Sequence, residues 1–200
     1  METLDYIAEL QDFTYLNWTD TKLSPGIPGC FLKAYDEREG IRYYYKLSNY
    51  DSYRGVFGHE CINELIVSRL MSVLGIPHLE YQLIHVLVLL DGTETETYIT
   101  RSANFRKQGE RKIAFDVFYD LNKEKDESPM EFACRYGWRV YIYQMMAVDY
   151  LICNRDRHGA NIEILVDEQG NARPAPFLIM VFLCFFLVMT IGKVLRILMC

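Results

Sequence analysis

The string CNRDRHGANIEIL, Cys153–Leu165, sets Asp156 and Asn161 five residues apart. A carboxylate and a carboxamide at that spacing on one loop suit phosphoryl transfer. The carboxylate can accept or orient the proton of an attacking hydroxyl. The amide oxygen is a hard, neutral donor that can hold a magnesium ion against phosphates. Both demand a rigid loop, since this chemistry depends on positioning and charge neutralisation.

The neighbouring elements can supply that rigidity. Arg139–Cys153 reads as a helix, with Val140, Tyr143, Met146, Val148 and Leu151 expected to make a largely buried rod. Ser128–Cys134 reads as another helix. After the loop, Ile162–Val166, the turn Asp167–Asn171 and Ala172–Pro174 read as a short hairpin. The first half is richer in strands. Cys30–Asp36 and Ile41–Ser48 are full of β-formers and form a hairpin around Glu37–Gly40. A helix runs from about Glu60 to Leu74, with Ile62, Leu65, Ile66, Leu70 and Leu74 recurring every three to four residues before Gly75-Ile76-Pro77. Glu80–Leu90 and Thr95–Arg101 are strands joined through Asp91-Gly92. Strands with one helix, then helices with a loop and hairpin, make an α+β arrangement in two lobes. The expected division is 1–105, 106–176 and an apolar tail, 177–200, with the first boundary near Ala103–Gly109.

Composition limits the alternatives. The chain has 200 residues, half of them apolar, and a net charge of −6. That balance argues against a generic nucleic-acid surface. Six cysteines show no C-x-x-C pair and no zinc-site spacing, and read as reduced thiols of a cytoplasmic protein. The start, METLDYIAEL, lacks the basic and apolar regions of a signal peptide. Asn122–Glu127 (NKEKDE) reads as a solvated loop, and His59, His78 and His85 read as structural or surface residues.

The run Asp156-Arg157-His158-x-x-Asn161-Ile162 resembles the D-R-H-x-x-N-I catalytic loop of phosphoinositide kinases and of HipA-like toxin kinases, which share a wider kinase-like fold. NELIVSRLMSVLGIPHLEY (Asn63–Tyr81) looks like the corresponding helix and strand of HipA-like proteins. The resemblance spans roughly Cys30 to Pro176. It implies a two-lobe kinase-like fold with a β-rich N-terminal lobe and an incomplete helical C-terminal lobe. It implies ATP and Mg2+ as cofactors and transfer to a hydroxyl, foremost on a protein Ser or Thr, with lipid and small-molecule acceptors open. Asp156 would be the base or hydroxyl-orienting group, Asn161 a metal ligand, and His158 a support for the phosphoryl group. Lys46, on YYYKLS, would neutralise phosphates, and Glu64 would hold it, with Glu60 as competitor. Ser48–Gly58 could cover phosphates through backbone N–H groups, although it lacks a full G-x-G-x-x-G. HipA-like proteins often pair with a DNA-binding antitoxin, a partner implied here by resemblance alone.

The same resemblance implies a second metal-binding Asp soon after the hairpin. Beyond Pro176 the sequence reads FLIMVFLCFFLVMTIGKVLRILMC, without Asp or Glu. One reading is a membrane anchor at Phe177–Ile191, which would make the chain a tail-anchored membrane protein. That stretch is 15 residues long, and a spanning helix needs roughly 20. The other is a displaced reading frame. Phe, Leu, Ile, Met and Val, whose codons share a middle U, fill 18 of these 24 positions. Restoring one lost base after Pro176 forces Gly across Met180–Val181 and Asp across Met189–Thr190, and permits a D-x-G where the metal ligand belongs. We favour the displaced frame, and expect this chain to be inactive or nearly so. A nucleotide-binding module without turnover is the alternative from another class.

Overall fold

The computed structural model describes residues 5–19, 32–154 and 157–177. These divide into two compact units, one of residues up to 70 together with 79–104, the other of 71–78 together with residues from 105 onward.

The first unit is built on a five-stranded sheet. Its strands are β1 (Tyr6–Asp12), β2 (Lys33–Arg38), β3 (Ile41–Leu47), β6 (Gln82–Leu90) and β7 (Thr93–Ala103), in the order β1-β6-β7-β3-β2. A small ladder, β4 (Tyr50–Asp51) with β5 (Gly55–Val56), lies between β3 and helix α1 (Glu60–Val73) in sequence. Two hairpins turn in two residues. Glu39-Gly40 and Asp91-Gly92 all have positive φ, between 48° and 78°, which matches the twist of the flanking strands. The first turn is therefore tighter than expected: Glu37 and Arg38 pair with Arg42 and Ile41 inside the sheet. Of the expected strand Cys30–Asp36, Cys30 and Phe31 lie outside the described residues.

Alternation along the strands sorts this sheet into two faces. Tyr45, Leu47, Ile84, Val86, Val88 and Ile99 bury one face in an apolar cluster with Phe13 and Leu16. The opposite face carries Lys46, Thr100 and Leu83 in line across three strands, since Lys46 pairs with Thr100 and Thr100 with Leu83. Helix α1 packs there through Cys61 and Leu65 against Leu83. Strand β1 was not expected from the sequence; it joins by parallel pairing to β6.

The second unit holds β8 (Arg111–Ala114), α2 (Phe115–Asn122), α3 (Pro129–Arg135), α4 (Arg139–Leu151), a single 3-10 turn (Gly159–Asn161), β9 (Glu163–Val166) and β10 (Ala172–Pro174). The three strands form an antiparallel sheet, β10-β9-β8. Phe132, fully buried, sits among Phe115, Phe118, Tyr119, Tyr136 and Trp138 with ring centroids 4.7–6.3 Å away. Ser128 and Glu131 close a capping box at the start of α3.

The expected burial of α4 is corrected. Val140, Tyr143, Met146 and Leu151 are exposed, whereas Ile142, Met145, Val148 and Asp149 are buried. The helix is apolar on most of its circumference, so two stripes share the same helical period and periodicity alone cannot choose between them. The Asn122–Glu127 run is solvated as expected from Asn122 to Asp126, and only Glu127 is half-buried. Glu127 accepts from Arg135 Nε at 2.7 Å and from Nη2 at 2.8 Å, and its side chain is 9% exposed.

Of the apolar tail, Phe177 alone is described. It is buried and stacks on Tyr141 at 4.4 Å. Residues 178–200, and with them most of the anchor and displaced-frame readings, lie outside the described residues. Among the described residues no helix is long and apolar enough to cross a membrane.

Candidate active site

Lys46 and Glu64 meet because strand pleat and helix phase bring them to one interface. Lys46 projects from β3 toward α1, where Glu64 lies one turn from Cys61 on the packed face. Lys46 Nζ donates to Glu64 Oε1 at 2.5 Å, and Thr100 Oγ1 donates to Glu64 Oε2 at 2.6 Å. Both carboxylate oxygens are thereby engaged, and the Glu64 side chain is only 8% exposed. The Lys46 ammonium sits 5.2 Å from the Tyr81 ring centroid, which adds a cation–π attraction. Burial pulls the Lys46 pKa down, but the Glu64 charge and hydrogen bond outweigh it and hold the pKa above the usual lysine range. Lys46 is thus an anchored cation that stays charged at neutral pH.

Glu60, the competitor for this role, is committed elsewhere. It accepts from the Asn49 backbone at 3.2 Å and from the Asn49 side-chain amide. Ser48 Oγ accepts from the Cys61 N–H at 3.2 Å, tying the end of β3 to the first turn of α1. Burial pushes the Cys61 thiol up to about 11, and its Sγ donates to the Lys46 carbonyl at 3.3 Å.

The loop residues form a second cluster in the other unit. His158 and Asn161 come together: Asn161 Nδ2 donates to His158 Nε2 at 3.0 Å, and the Asn161 N–H donates to the His158 carbonyl at 2.9 Å. The Asn161 amide oxygen is of the kind a hard cation takes. Asp156 lies outside the described residues.

Sequence reasoning missed Asp149. It lies on the buried face of α4 with a side chain 10% exposed, and Arg157, 11% exposed, grips it with a forked pair of bonds, Nε to Oδ2 at 2.9 Å and Nη2 to Oδ1 at 3.1 Å. A signal was present. Asp149 keeps helical phase with Ile142, Met145 and Ile152, and an acid in a buried phase requires a partner. Nearby Tyr141 has its phenol pushed up to about 12 by burial, against the pull of the Arg157 charge.

His78 and His85 are bound into local structure, through the Ile76 carbonyl and through Ala8 and Glu96. Among the described residues no three His, Cys, Asp or Glu side chains gather into a metal cage. Magnesium commonly keeps waters and takes one or two protein ligands plus phosphate oxygens, so the amide oxygen of Asn161 fits that ion in kind.

Against known proteins, no family model matches this chain, and no curated protein does. Among solved structures, the chain is similar to a proinflammatory kinase of Helicobacter pylori, CtkA, with a TM-score of 0.54 and 18% identity over 84% of this chain. The fold is kinase-like. The likeness covers 59% of the CtkA chain, and at that identity it concerns the fold alone. The α+β, two-lobe reading with a β-rich first lobe holds. In this kinase-like fold the strand lysine and helix glutamate belong to the β-rich lobe, and the Asn161 loop follows a helix of the second.

Proposed function

We propose that this chain carries the nucleotide-binding lobe and catalytic loop of an ATP- and magnesium-dependent phosphotransferase of the HipA-like kinase type, acting on Ser or Thr hydroxyls of a protein. The observation that supports it most is the buried Lys46–Glu64 pair, shared with Thr100 and set between a sheet and the helix packed on it. A lysine so held serves as a fixed counter-charge for phosphates. Asn161 would ligate magnesium, His158 would support the transferred group, and Asp156 would orient the acceptor hydroxyl. Those three roles rest on the D-R-H-x-x-N-I pattern.

No Asp or Glu follows Glu168 in these 200 residues, so the second metal-binding carboxylate is missing from the sequence as it stands. We propose that the chain alone binds nucleotide with little or no turnover, and that a displaced reading frame after Pro176 accounts for the missing residue. Sequencing the gene across Pro174–Cys200 tests the frame. An open adjacent frame encoding D-x-G and amphipathic helices supports it, and the lack of one sinks it.

Thermal-shift titration tests the binding. ATP with magnesium at a hundred times Kd should stabilise the chain by about 2.7 kcal/mol, and Lys46→Met should abolish the shift. No shift in the folded chain overturns the assignment. Magnesium-dependent turnover that disappears in Asp156→Ala would keep the phosphotransferase and overturn the inactivity.

A further inference from the structure

Asp149 is the single acid of α4 and accepts three side-chain bonds from the loop that follows. Asn154 Nδ2 donates to Oδ1 at 2.7 Å, and Arg157 supplies the fork already described. Arg157 also sends Nη1 to the Asn161 carbonyl at 3.3 Å. Asn154 and Arg157 are therefore both fastened to one buried carboxylate, and Arg157 in turn holds the Asn161 carbonyl. Its far side presses on α2. A Cβ at Gly159 would lie 2.8 Å from Asp116 Cβ, and the Phe115 N–H donates to the Ile162 carbonyl at 2.8 Å.

We infer that Asp149 and Arg157 are positioning residues for the phosphotransferase site. Arg157 directly follows Asp156 in the chain and bonds the backbone of Asn161, so one guanidinium ties the buried carboxylate of α4 to the residue assigned to the metal. The arrangement calls for arginine. Two donors must lie in plane on a carboxylate while a third points elsewhere, and a lysine ammonium cannot hold that fork. The inference rests on the phosphotransferase reading, because positioning has meaning only if Asn161 binds metal.

The test uses the full chain with Arg157→Lys, Arg157→Met and Asp149→Asn. Amide exchange is followed by mass spectrometry in peptides covering 153–161, with 60–73 as internal control. Magnesium-dependent ATP affinity is measured alongside ATP affinity without metal. Exchange in 153–161 should quicken at least about tenfold with the control unchanged. Magnesium-dependent affinity should fall about 10- to 100-fold, as it does when partners of metal ligands are removed, while metal-free affinity holds. Arg157→Lys guards against simple unfolding, because it keeps the charge and most of the stem. Wild-type exchange in that variant overturns the inference. Faster exchange with unchanged magnesium dependence also overturns it, reducing the pair to a structural role. A wild-type chain that binds no magnesium–ATP overturns the phosphotransferase reading, and the exchange data then decide separately whether the clamp orders the loop.

Discussion

Lys46 and Glu64, eighteen residues apart in sequence, close an ion pair of 2.5 Å in which the Glu64 side chain is more buried than the Lys46 side chain, 8% against 28% exposed. That asymmetry decides which partner matters more for stability. Lys46→Met strands a buried carboxylate with one remaining donor, Thr100. It should cost about 3 kcal/mol, toward the low end for a broken buried pair. Glu64→Gln keeps an amide oxygen to which Lys46 or Thr100 can still donate, and should cost about 1–2 kcal/mol. Urea unfolding at pH 7 gives the order. A larger loss in Glu64→Gln than in Lys46→Met would refute it.

The pair should also be insensitive to mildly alkaline pH. The folded pKa of Lys46 is raised, so its contribution is fully present below the unfolded lysine value near 10.4 and is lost only as pH rises through the higher folded one. Between pH 7 and 9, the difference in unfolding free energy between wild type and Lys46→Met should stay constant. A difference that shrinks over that range would contradict the assignment.

How much of this could be read from residues alone depended on whether the signal was local. The Asp91-Gly92 and Glu39-Gly40 hairpins, helix α1 and the β9–β10 hairpin announce themselves through turn chemistry and short-range period. Strand β1 did not, because its pairing with β6 is parallel and some 75 residues distant, and most of its side chains are exposed. Arg111–Ala114 is too short to show alternation, and it hid α2 behind it. Lys46 and Glu64 were legible as candidates, but only the fold separates Glu64 from Glu60, by turning Glu60 to Asn49. Asp149 was not legible because the apolar stripe of Val140, Tyr143, Met146 and Leu151 keeps the same helical period as the buried one.

Thiol chemistry offers a check on packing around that lysine. Burial pushes Cys61 up to about 11, so at pH 8 about one Cys61 in a thousand is thiolate. Cys134 and Cys153 are exposed. Under native conditions, iodoacetamide should modify Cys134 and Cys153 at least about a hundredfold faster than Cys61, the three being resolved by peptide mass mapping. Comparable rates would mean that the α1–β3 interface is open.

Acid should first test the clamp on α3. The Arg135 hydrogen bonds hold the Glu127 carboxyl down at about 2, against an unfolded value near 4.5. A depressed carboxylate stabilises above its unfolded pKa and loses that contribution as pH falls through the folded one. Wild type should therefore lose stability between about pH 4.5 and 2 through this group, and Glu127→Gln should flatten that part of the curve. Identical acid limbs in the two proteins would show that the bond does not hold in solution.

Cys153 ends α4 in the left-handed region, at φ +55°. Its N–H donates to the Tyr150 carbonyl at 3.3 Å, and the Asn154 N–H donates to that of Asp149 at 2.8 Å. This is the paired bonding of a glycine-type helix stop, made with a residue that has a side chain. A non-glycine residue in this region costs about 1–2 kcal/mol, and the cost falls where the chain leaves the helix for the loop bearing Asn154, Arg157 and Asn161. Cys153→Gly removes the strain but adds freedom to the unfolded chain, which takes back about 0.5–1 kcal/mol. The net should be a gain of up to about 1 kcal/mol. Cys153→Val, whose branched Cβ tolerates positive φ poorly, should lose more than 1 kcal/mol, by about the same reasoning. Thermal unfolding of the two variants beside wild type reads the sign directly. Equal midpoints for Gly and Val would mean that residue 153 does not take the left-handed turn, and the helix stop that launches the loop would have to be redrawn.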